Sequence, residues 1–238
     1  MRNMSYRRNS PTPSQIKREE ARKQIMTAAL KLFYTKGYEN TTTRDIVKET
    51  GILNGSLYNR FKSKDDILFN ILTDAIGTFL NESERLMDKD KDLIKSLALP
   101  MAVELYLASK SENLAGLLHQ AHQSWDAIEQ FVDMYRNWLK NVWEDLFHKY
   151  IDEETFQLSL ITVIGGVGNL CGAYAHGFKA DYRDVLEGLI RTAAVTTNLP
   201  TFEVRKTVED LAQLVEHGDI TICGLRISDL DNMVVQEQ

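Results

Sequence analysis

The residues best suited to chemistry lie close together in the N-terminal quarter of the chain. The segment from Thr42 to Phe61 reads TTRDIVKETGILNGSLYNRF, in which apolar residues are interleaved with hydroxyl, amide and guanidinium groups. Such groups hydrogen-bond to base edges and phosphates in the major groove of DNA, and Gly55 lets the backbone approach the double helix closely. Lysines that follow the segment can neutralise phosphates. The candidate DNA contacts are Thr42, Thr43, Arg44, Asn54, Gly55, Ser56, Tyr58, Asn59, Arg60, Lys62 and Lys64.

Positioning these groups requires helices, and the residue pattern predicts them. Apolar residues recur at three- and four-residue steps from Ser14 onward and stop at Gly37, which predicts a first helix over that span. Thr42 followed three positions later by Asp45 is a variant capping box, so a second helix is expected to begin there and to end at Gly51.

A third, very short helix completes the arrangement. Asn54 is expected to cap it, so that it starts there rather than one residue earlier, and the helix is expected to run through Phe61. Ser63 and Asp66 then signal the start of the next helix. Two short helices that pack on a longer one across a tight turn predict a helix-turn-helix head over residues 14–62.

The charge distribution separates this head from the rest of the chain. Residues 1–64 carry 14 lysines and arginines against 5 acidic residues, whereas the remainder carries 14 against 29, and the net charge is −6. A basic head on an acidic body indicates that only the head meets a polyanion such as double-stranded DNA. On charge alone, a solvated basic tail without a partner is the alternative.

Several short motifs in the head fall in one ungapped register. They are Gly37-Tyr38, Thr41 to Ile46, Gly51-Ile52, Gly55 to Tyr58 and Phe61 to Asp65. Over residues 20–70 the sequence resembles the tetracycline-repressor (TetR) family of transcriptional regulators. By position, the resemblance suggests Thr43, Arg44, Ser56, Tyr58 and Lys64 as DNA contacts.

The resemblance implies a helical homodimer with a ligand pocket in its body, which releases DNA when ligand enters. The chain departs from the family pattern at two places. Similar members usually carry Ser-Lys where this chain has Leu53-Asn54, so one phosphate-binding lysine is missing, and Arg60 stands where an aromatic residue is often found. Both departures leave the operator sequence open.

The rest of the chain is predicted to be helical. No convincing run of alternating residues precedes residue 218, which predicts an all-α fold with the head on a larger body. Helices are expected at roughly 92–109, 112–123, 124–149, 154–178, 182–198 and 201–217. The expected domains are a flexible basic arm (1–13), the head (14–62), a regulatory and dimerisation body (63–200) and a C-terminal extension (201–238), in which residues 218–238 alternate only weakly.

A glycine-rich helix within residues 158–177 is expected to form a subunit interface. Glycine costs about 1 kcal/mol per helical position relative to alanine, so close approach of another helix must compensate. Packing within one chain is the alternative. A nucleotide-binding G-x-G-x-x-G loop is excluded, because Cys171 occupies the last glycine position. The predicted dimer contacts are Gly165, Gly168, Gly172, His176 and Leu189.

The middle helices supply candidate pocket residues. They are Tyr106, His119, His122, Trp125, Tyr135, Trp138 and Asn169. Aromatic side chains with a few polar partners suit a small apolar or aromatic molecule. The spacing of His119 and His122 can bring two imidazoles to one metal, but no H-E-x-x-H motif or carboxylate at the fourth position accompanies them. No metal or other cofactor is therefore predicted.

These patterns favour a DNA-binding regulator over an enzyme. The sequence lacks a G-x-S-x-G elbow, a Walker motif and paired catalytic carboxylates, so no catalytic residue is predicted. We expect a repressor that leaves a pseudo-palindromic operator when a small molecule binds its body; the alternative is a regulator controlled by a protein partner, or a constitutive one. The sequence shows neither a signal peptide nor a membrane-spanning run, and two unpaired cysteines fit a reducing cytoplasm.

Overall fold

The computed structural model describes residues 12–90, 92–150, 153–197 and 203–229, and their backbone is almost entirely helical. The helices are α1 (Pro13–Lys36), α2 (Thr43–Thr50), α3 (Asn54–Tyr58), α4 (Lys64–Asp90), α5 (Leu93–Lys110), α6 (Glu112–Ala121), α7 (Trp125–Tyr150), α8 (Glu153–Ala175), α9 (Tyr182–Thr197) and α10 (Val204–His217). Two short strands follow, β1 (Thr221–Ile222) and β2 (Leu225–Arg226). The predicted all-α fold is confirmed.

Helices α1 to α3 form the head, and local capping fixes where the first two begin and end. Thr12 and Gln15 form a reciprocal capping box that starts α1 one residue before the predicted position. Of the predicted basic arm, only residues 12 and 13 belong to the described residues. The predicted box of Thr42 and Asp45 is confirmed, with Asp45 N donating to Thr42 Oγ1 at 3.2 Å. Gly51 ends α2 with a φ of 67°, a left-handed conformation that glycine adopts without steric penalty.

The third helix is shorter than predicted and is capped differently. It spans Asn54–Tyr58, and its N-cap is Leu53, whose backbone is extended and whose side chain offers no acceptor. The prediction that Asn54 caps this helix is therefore wrong, since Asn54 is its first helical residue. The predicted extension through Phe61 is also wrong. The Phe61 amide turns back to the Leu57 carbonyl at 3.0 Å, and this tight turn buries the Phe61 ring in the core.

Helix α5 runs through the middle of the body. Every side chain from Ala98 to Ala108 is buried, and α4, α6, α8, α9 and α10 pack around the helix. The buried cluster is continuous from head to body, because it includes Phe33 of α1 as well as Leu105 of α5. The head and the body therefore share one apolar core.

A β-hairpin after α10 ties the head to the body. Strands β1 and β2 pair antiparallel around a turn at Cys223 and Gly224, where φ is 50° and 81°. Thr27 of α1 donates from Oγ1 to the Cys223 carbonyl at 2.6 Å, while Ile222 is buried where β1 meets α4. The weak alternation at residues 218–238 thus corresponds to a hairpin in its first part, and residues 230–238 lie outside the described residues.

Both cysteines are buried free thiols, as the sequence predicts. Burial raises the pKa of the Cys223 thiol to about 12. Within the described part of the chain, α8 is the helix with the length and apolar composition of a membrane-spanning segment, and it packs against α5, α6 and α9.

Candidate DNA interface and ligand cavity

A pair of hydroxyl groups joins the two short helices of the head. Thr43 Oγ1 lies 3.1 Å from Tyr58 OH, within hydrogen-bond distance, so the start of α2 is tied to the end of α3. Tyr58 is 55% exposed, and the pair fixes the relative position of two predicted contact residues. The other predicted contacts that face solvent are Thr42, Arg44, Asn54, Gly55, Asn59 and Lys62.

Nothing within the chain explains why the second residue of α3, Gly55, is a glycine. A Cβ added to it would meet no heavy atom within 4 Å, and its backbone is not left-handed. This glycine is therefore required neither for internal packing nor for backbone geometry. An exposed backbone without a side chain is available for the close approach of another molecule.

Four further predicted contact residues are engaged within the head. Arg60 donates from Nη1 to both the carbonyl and the hydroxyl of Ser56, each at 2.7 Å. Lys64 Nζ donates to the Tyr38 carbonyl at 2.8 Å and lies 4.0 Å from the centre of the Tyr38 ring. The Thr42 hydroxyl takes part in the capping box. A contact of these groups with DNA would compete with the bonds that hold the head together.

An open basic groove lies beside the third helix, α3. Lys17 and Arg18, on the first turns of α1, form it together with Asn59 and Arg60. Sequence reasoning missed Lys17 and Arg18, although two consecutive basic residues on an exposed helical turn were a signal. Cations gathered in this way attract phosphates.

Hydrogen bonds connect the head to the first helices of the body. Tyr38 donates from its hydroxyl to Asp65 at the start of α4; burial, together with this bond, raises the pKa of Tyr38 well above its usual range. Asn113, at the start of α6, donates from Nδ2 to the carbonyl of Tyr34 in α1 at 3.0 Å. The head is therefore bonded directly to the first turns of α4 and α6.

The body contains an apolar cavity of about 90 Å³. Its walls come from α4, α5, α7, α8 and α9 and include Met101, Phe131, Tyr135, Phe156 and Ile190. A space lined almost wholly by hydrocarbon is suited to a small apolar molecule.

Glu104 and His122 form a buried polar pair in the wall of this cavity. Glu104 Oε2 lies 3.2 Å from His122 Nε2, but the approach is outside hydrogen-bond geometry and no other donor among the described residues reaches that oxygen. His122 Nδ1 is 2.8 Å from the Leu118 carbonyl, and because a carbonyl only accepts, Nδ1 must carry a proton. Burial raises the pKa of the Glu104 carboxyl, and the charge of protonated His122 partly offsets this.

A second cavity, of about 40 Å³, adjoins the same pair. The two spaces share Ile76, Glu104, His122 and Phe131 in their walls. The second is also lined by Leu30 of α1 and by the hairpin. The polar pair therefore lies between the larger cavity and the elements that hold the head.

The predicted pocket residues are distributed unevenly. His122 and Tyr135 line the larger cavity. Tyr106 packs edge-on against an α9 tyrosine, with ring centres 5.4 Å apart, and it lines neither cavity. Trp125 is 61% exposed, and Asn169 also faces solvent.

Trp138 and His119, the other two predicted pocket residues, also lie outside both cavity walls. Trp138 is buried, and its Nε1 has no hydrogen-bond partner among the described residues. His119 Nδ1 donates to the Gly168 carbonyl at 2.8 Å. Among the described residues, no three histidine, cysteine or acidic side chains are grouped so that they could hold a metal ion.

Sequence reasoning missed Glu104. The signal was a single acidic residue in the middle of the apolar run LALPMAVELYL of α5. A glutamate is rarely buried without a partner, so an acidic residue in such a run predicts a specific polar contact.

The prediction for the glycine-rich helix is corrected at two positions. A Cβ at Gly168 would overlap His122 Cβ, and a Cβ at Gly172 would lie 2.7 Å from His119 Nδ1. The absence of these side chains lets α6 pack closely on α8. Close helix approach was predicted, but the helix that approaches Gly168 and Gly172 belongs to the same chain rather than to a second subunit.

The other predicted interface residues lie toward the outside of α8 and α9. A Cβ at Gly165 would meet no atom within 4 Å, His176 is exposed, and Leu189 is half-buried. Two large apolar side chains on these helices are also strongly exposed, Leu158 at 67% and Val195 at 77%. These two helices therefore present small and apolar residues to solvent.

The short paired helices, the open glycine and the basic groove define a helix-turn-helix DNA-binding regulator with a helical body. Residues 25–71 match the family described as bacterial regulatory proteins, tetR family. This N-terminal segment is therefore a DNA-binding domain of the TetR type.

Three relatives illustrate the similarity. The chain is 41% identical over 70 residues to the HTH-type transcriptional regulator HbdR of Aromatoleum sp., covering 29% of this chain and 31% of that protein. It is 26% identical over 151 residues to the HTH-type transcriptional repressor KstR2 of Mycolicibacterium smegmatis, covering 63% and 73%. It is 29% identical over 92 residues to the fatty acid metabolism regulator protein of Bacillus subtilis, covering 39% and 47%. The alignments with the first and third relatives span less than half of those proteins.

Proposed function

We propose that this DNA-binding regulator is a repressor, and that it leaves a pseudo-palindromic operator when a small apolar or aromatic molecule enters the body cavity. The position of the cavity carries the proposal. It is enclosed by helices that also hold the head, and its wall includes Ile76 of α4 and His122, which follows α6 directly.

Two routes connect the cavity to the recognition helices. Helix α6 has His122 at one end and, at the other, Asn113, which is bonded to α1. Helix α4 contributes Ile76 to the cavity and begins beside Asp65, which accepts the bond from Tyr38. A ligand that displaces either wall would change how the head is held, and a coupling of about 1–3 kcal/mol is enough to alter operator binding.

At the operator, the exposed polar groups of α2 and α3 would read bases, with Thr43 and Tyr58 held in place by their mutual bond. Lys62 would contact phosphates, and Lys17 and Arg18 would extend that contact along the groove. The expected DNA affinity falls steeply with salt concentration, since each neutralised phosphate releases counterions.

A second copy of the chain is the proposed partner of the outer face of α8 and α9. The exposed Leu158 and Val195 would lose their contact with water there, and Gly165 would allow close approach. A symmetric dimer presents two recognition helices to half-sites about 34 Å apart, as a pseudo-palindromic operator requires. Such a regulator acts in the cytoplasm.

A ligand titration tests the induction mechanism. Small apolar and aromatic molecules are screened for thermal stabilisation, and each hit is titrated against the DNA upstream of the protein's own gene. We expect operator affinity to fall as ligand is added, and ligand affinity to fall equally when operator is present, because the coupling is reciprocal. Independent affinities would contradict the mechanism.

The cavity-filling variant Ala98→Leu is the matched control. Ala98 is buried in the cavity wall, so a larger side chain would occupy the ligand space while leaving the head unchanged. This variant should bind operator normally and lose its response to ligand. If the wild type binds operator normally but no screened molecule stabilises it, control by a protein partner or constitutive binding is favoured instead.

A further inference from the structure

We infer that the body cavity, acting as the ligand site of the proposed function, selects an apolar molecule that carries one hydrogen-bond donor, and that it excludes carboxylates. The donor, a hydroxyl or an amine, would bond to Glu104. The residues around this carboxyl supply the argument.

The Glu104 carboxyl is the acidic group in a mostly apolar wall that also contains His122, Tyr135 and Ser159. Its Oε2 is buried and has no hydrogen-bond partner among the described residues. Leaving a buried acceptor unpaired is unfavourable, because that atom has lost its bonds to water without replacement. A ligand that brings a donor to this oxygen would restore the missing bond.

The proton balance of the pair leaves acceptors rather than donors for a ligand. Because His122 Nδ1 is bonded to the Leu118 carbonyl, the face toward Glu104 is Nε2. Since Nδ1 carries a proton, Nε2 of a neutral imidazole is an acceptor and offers Glu104 no hydrogen. An ionised carboxyl can only accept hydrogen bonds, and a protonated carboxyl keeps lone pairs that accept them.

Among the described residues that line the cavity, the chargeable groups are Glu104, His122 and Tyr135, and none is a lysine or arginine that would hold a ligand carboxylate. Burial and the nearby Glu104 charge raise the pKa of both Tyr135 and Cys171, which stay neutral. A ligand carboxylate would lose its hydration and face a second acid, so it is strongly disfavoured.

Four probes of nearly equal size test this selectivity on the full-length protein: toluene, benzyl alcohol, benzylamine and benzoate. Their affinities are measured by calorimetry for the wild type and for Glu104→Leu, which removes the acceptor while keeping an apolar side chain of similar size. We expect benzyl alcohol or benzylamine to bind the variant about tenfold more weakly than the wild type, which is the typical value of a hydrogen bond to a charged partner. Toluene should bind both proteins equally, and benzoate should bind neither.

Two further variants sharpen the result. Leu105→Met, on the same helix but outside both cavity walls, conserves volume and should leave all four affinities unchanged within about twofold. Glu104→Gln keeps an acceptor but loses the charge, so it should retain benzyl alcohol and bind benzylamine, a cation at neutral pH, more weakly than the wild type does.

The outcomes separate this inference from the function on which it rests. Unchanged binding of the alcohol and the amine by Glu104→Leu, or binding of benzoate by the wild type, would overturn the inference while leaving the cavity a ligand site. Failure of every probe to bind the wild type, and also the enlarged cavity of Met101→Ala, would overturn both.

Discussion

At the scale of single residues, the polar groups of the head have two different roles. Arg60 hydrogen-bonds to Ser56, and Thr42 caps α2. The fold itself therefore explains why arginine and threonine occur at these two positions. Gly55 meets nothing in the chain, and Tyr58 is more than half exposed. Substitution of a residue that the fold does not require, such as Gly55, therefore tests contact with DNA directly.

Replacing Gly55 with alanine separates stability from DNA binding. The added methyl group would enter open space, so the free energy of unfolding should be unchanged or higher by up to about 1 kcal/mol, the helix preference of alanine over glycine. Operator affinity, measured by fluorescence anisotropy, should fall about tenfold, because a methyl group on the approaching backbone displaces contacts worth roughly 1–3 kcal/mol. Normal operator affinity in this variant would show that Gly55 does not approach DNA.

Sequence reasoning succeeded where the chemistry is local. The capping box of Thr42 and Asp45 depends on a spacing of three residues, so the sequence alone specifies it. Glu104 and His122 belong to different helices and meet only because α5 and α6 pack together, which no short pattern encodes. Residue types therefore identified His122 and Tyr135 in the cavity wall, while five other predicted residues lie outside it and Glu104 was missed.

At the scale of elements, α6 is held at both ends by specific contacts. Asn113 bonds its first turn to α1, and the glycine positions of α8 receive the two histidines near its other end. Small residues on α8 thus set how near α6 lies to the cavity. The glycine content of α8 predicted a close helix approach here, but it does not identify which helix approaches.

Enlarging Gly168 should disturb this packing. In Gly168→Ala the new methyl group would overlap His122, so we expect a loss of about 1–3 kcal/mol in the free energy of unfolding from overpacking. Urea denaturation measures the loss. Gly116→Ala, on α6, where an added Cβ would come no closer than 4.0 Å to Ala175 Cβ, is the matched control and should be neutral or slightly stabilising. Equal stabilities of the two variants would show that Gly168 does not set the spacing of α6 and α8.

At the scale of the whole molecule, the outer face of α8 and α9 is the proposed interface with a second subunit. In Leu158→Glu, a charge replaces a side chain that is 67% exposed, so the variant should be monomeric by light scattering and should lose most of its operator affinity. Trp125→Glu removes a side chain of similar exposure, 61%, on a different helix and should remain dimeric. A dimer that survives the first substitution would place the interface elsewhere.

The hairpin has a consequence for how the protein is made. The bond from Thr27 to Cys223 joins residues 196 positions apart, so α1 leaves the ribosome long before its hairpin partner is synthesised. At about 5–20 residues per second, the interval is roughly 10–40 s. Throughout that time the nascent head is held by its own core and by whichever body helices have emerged. The hairpin that completes the attachment of the head is synthesised after α10. A chain still in translation therefore exposes α2 and α3 before the hairpin restrains the head.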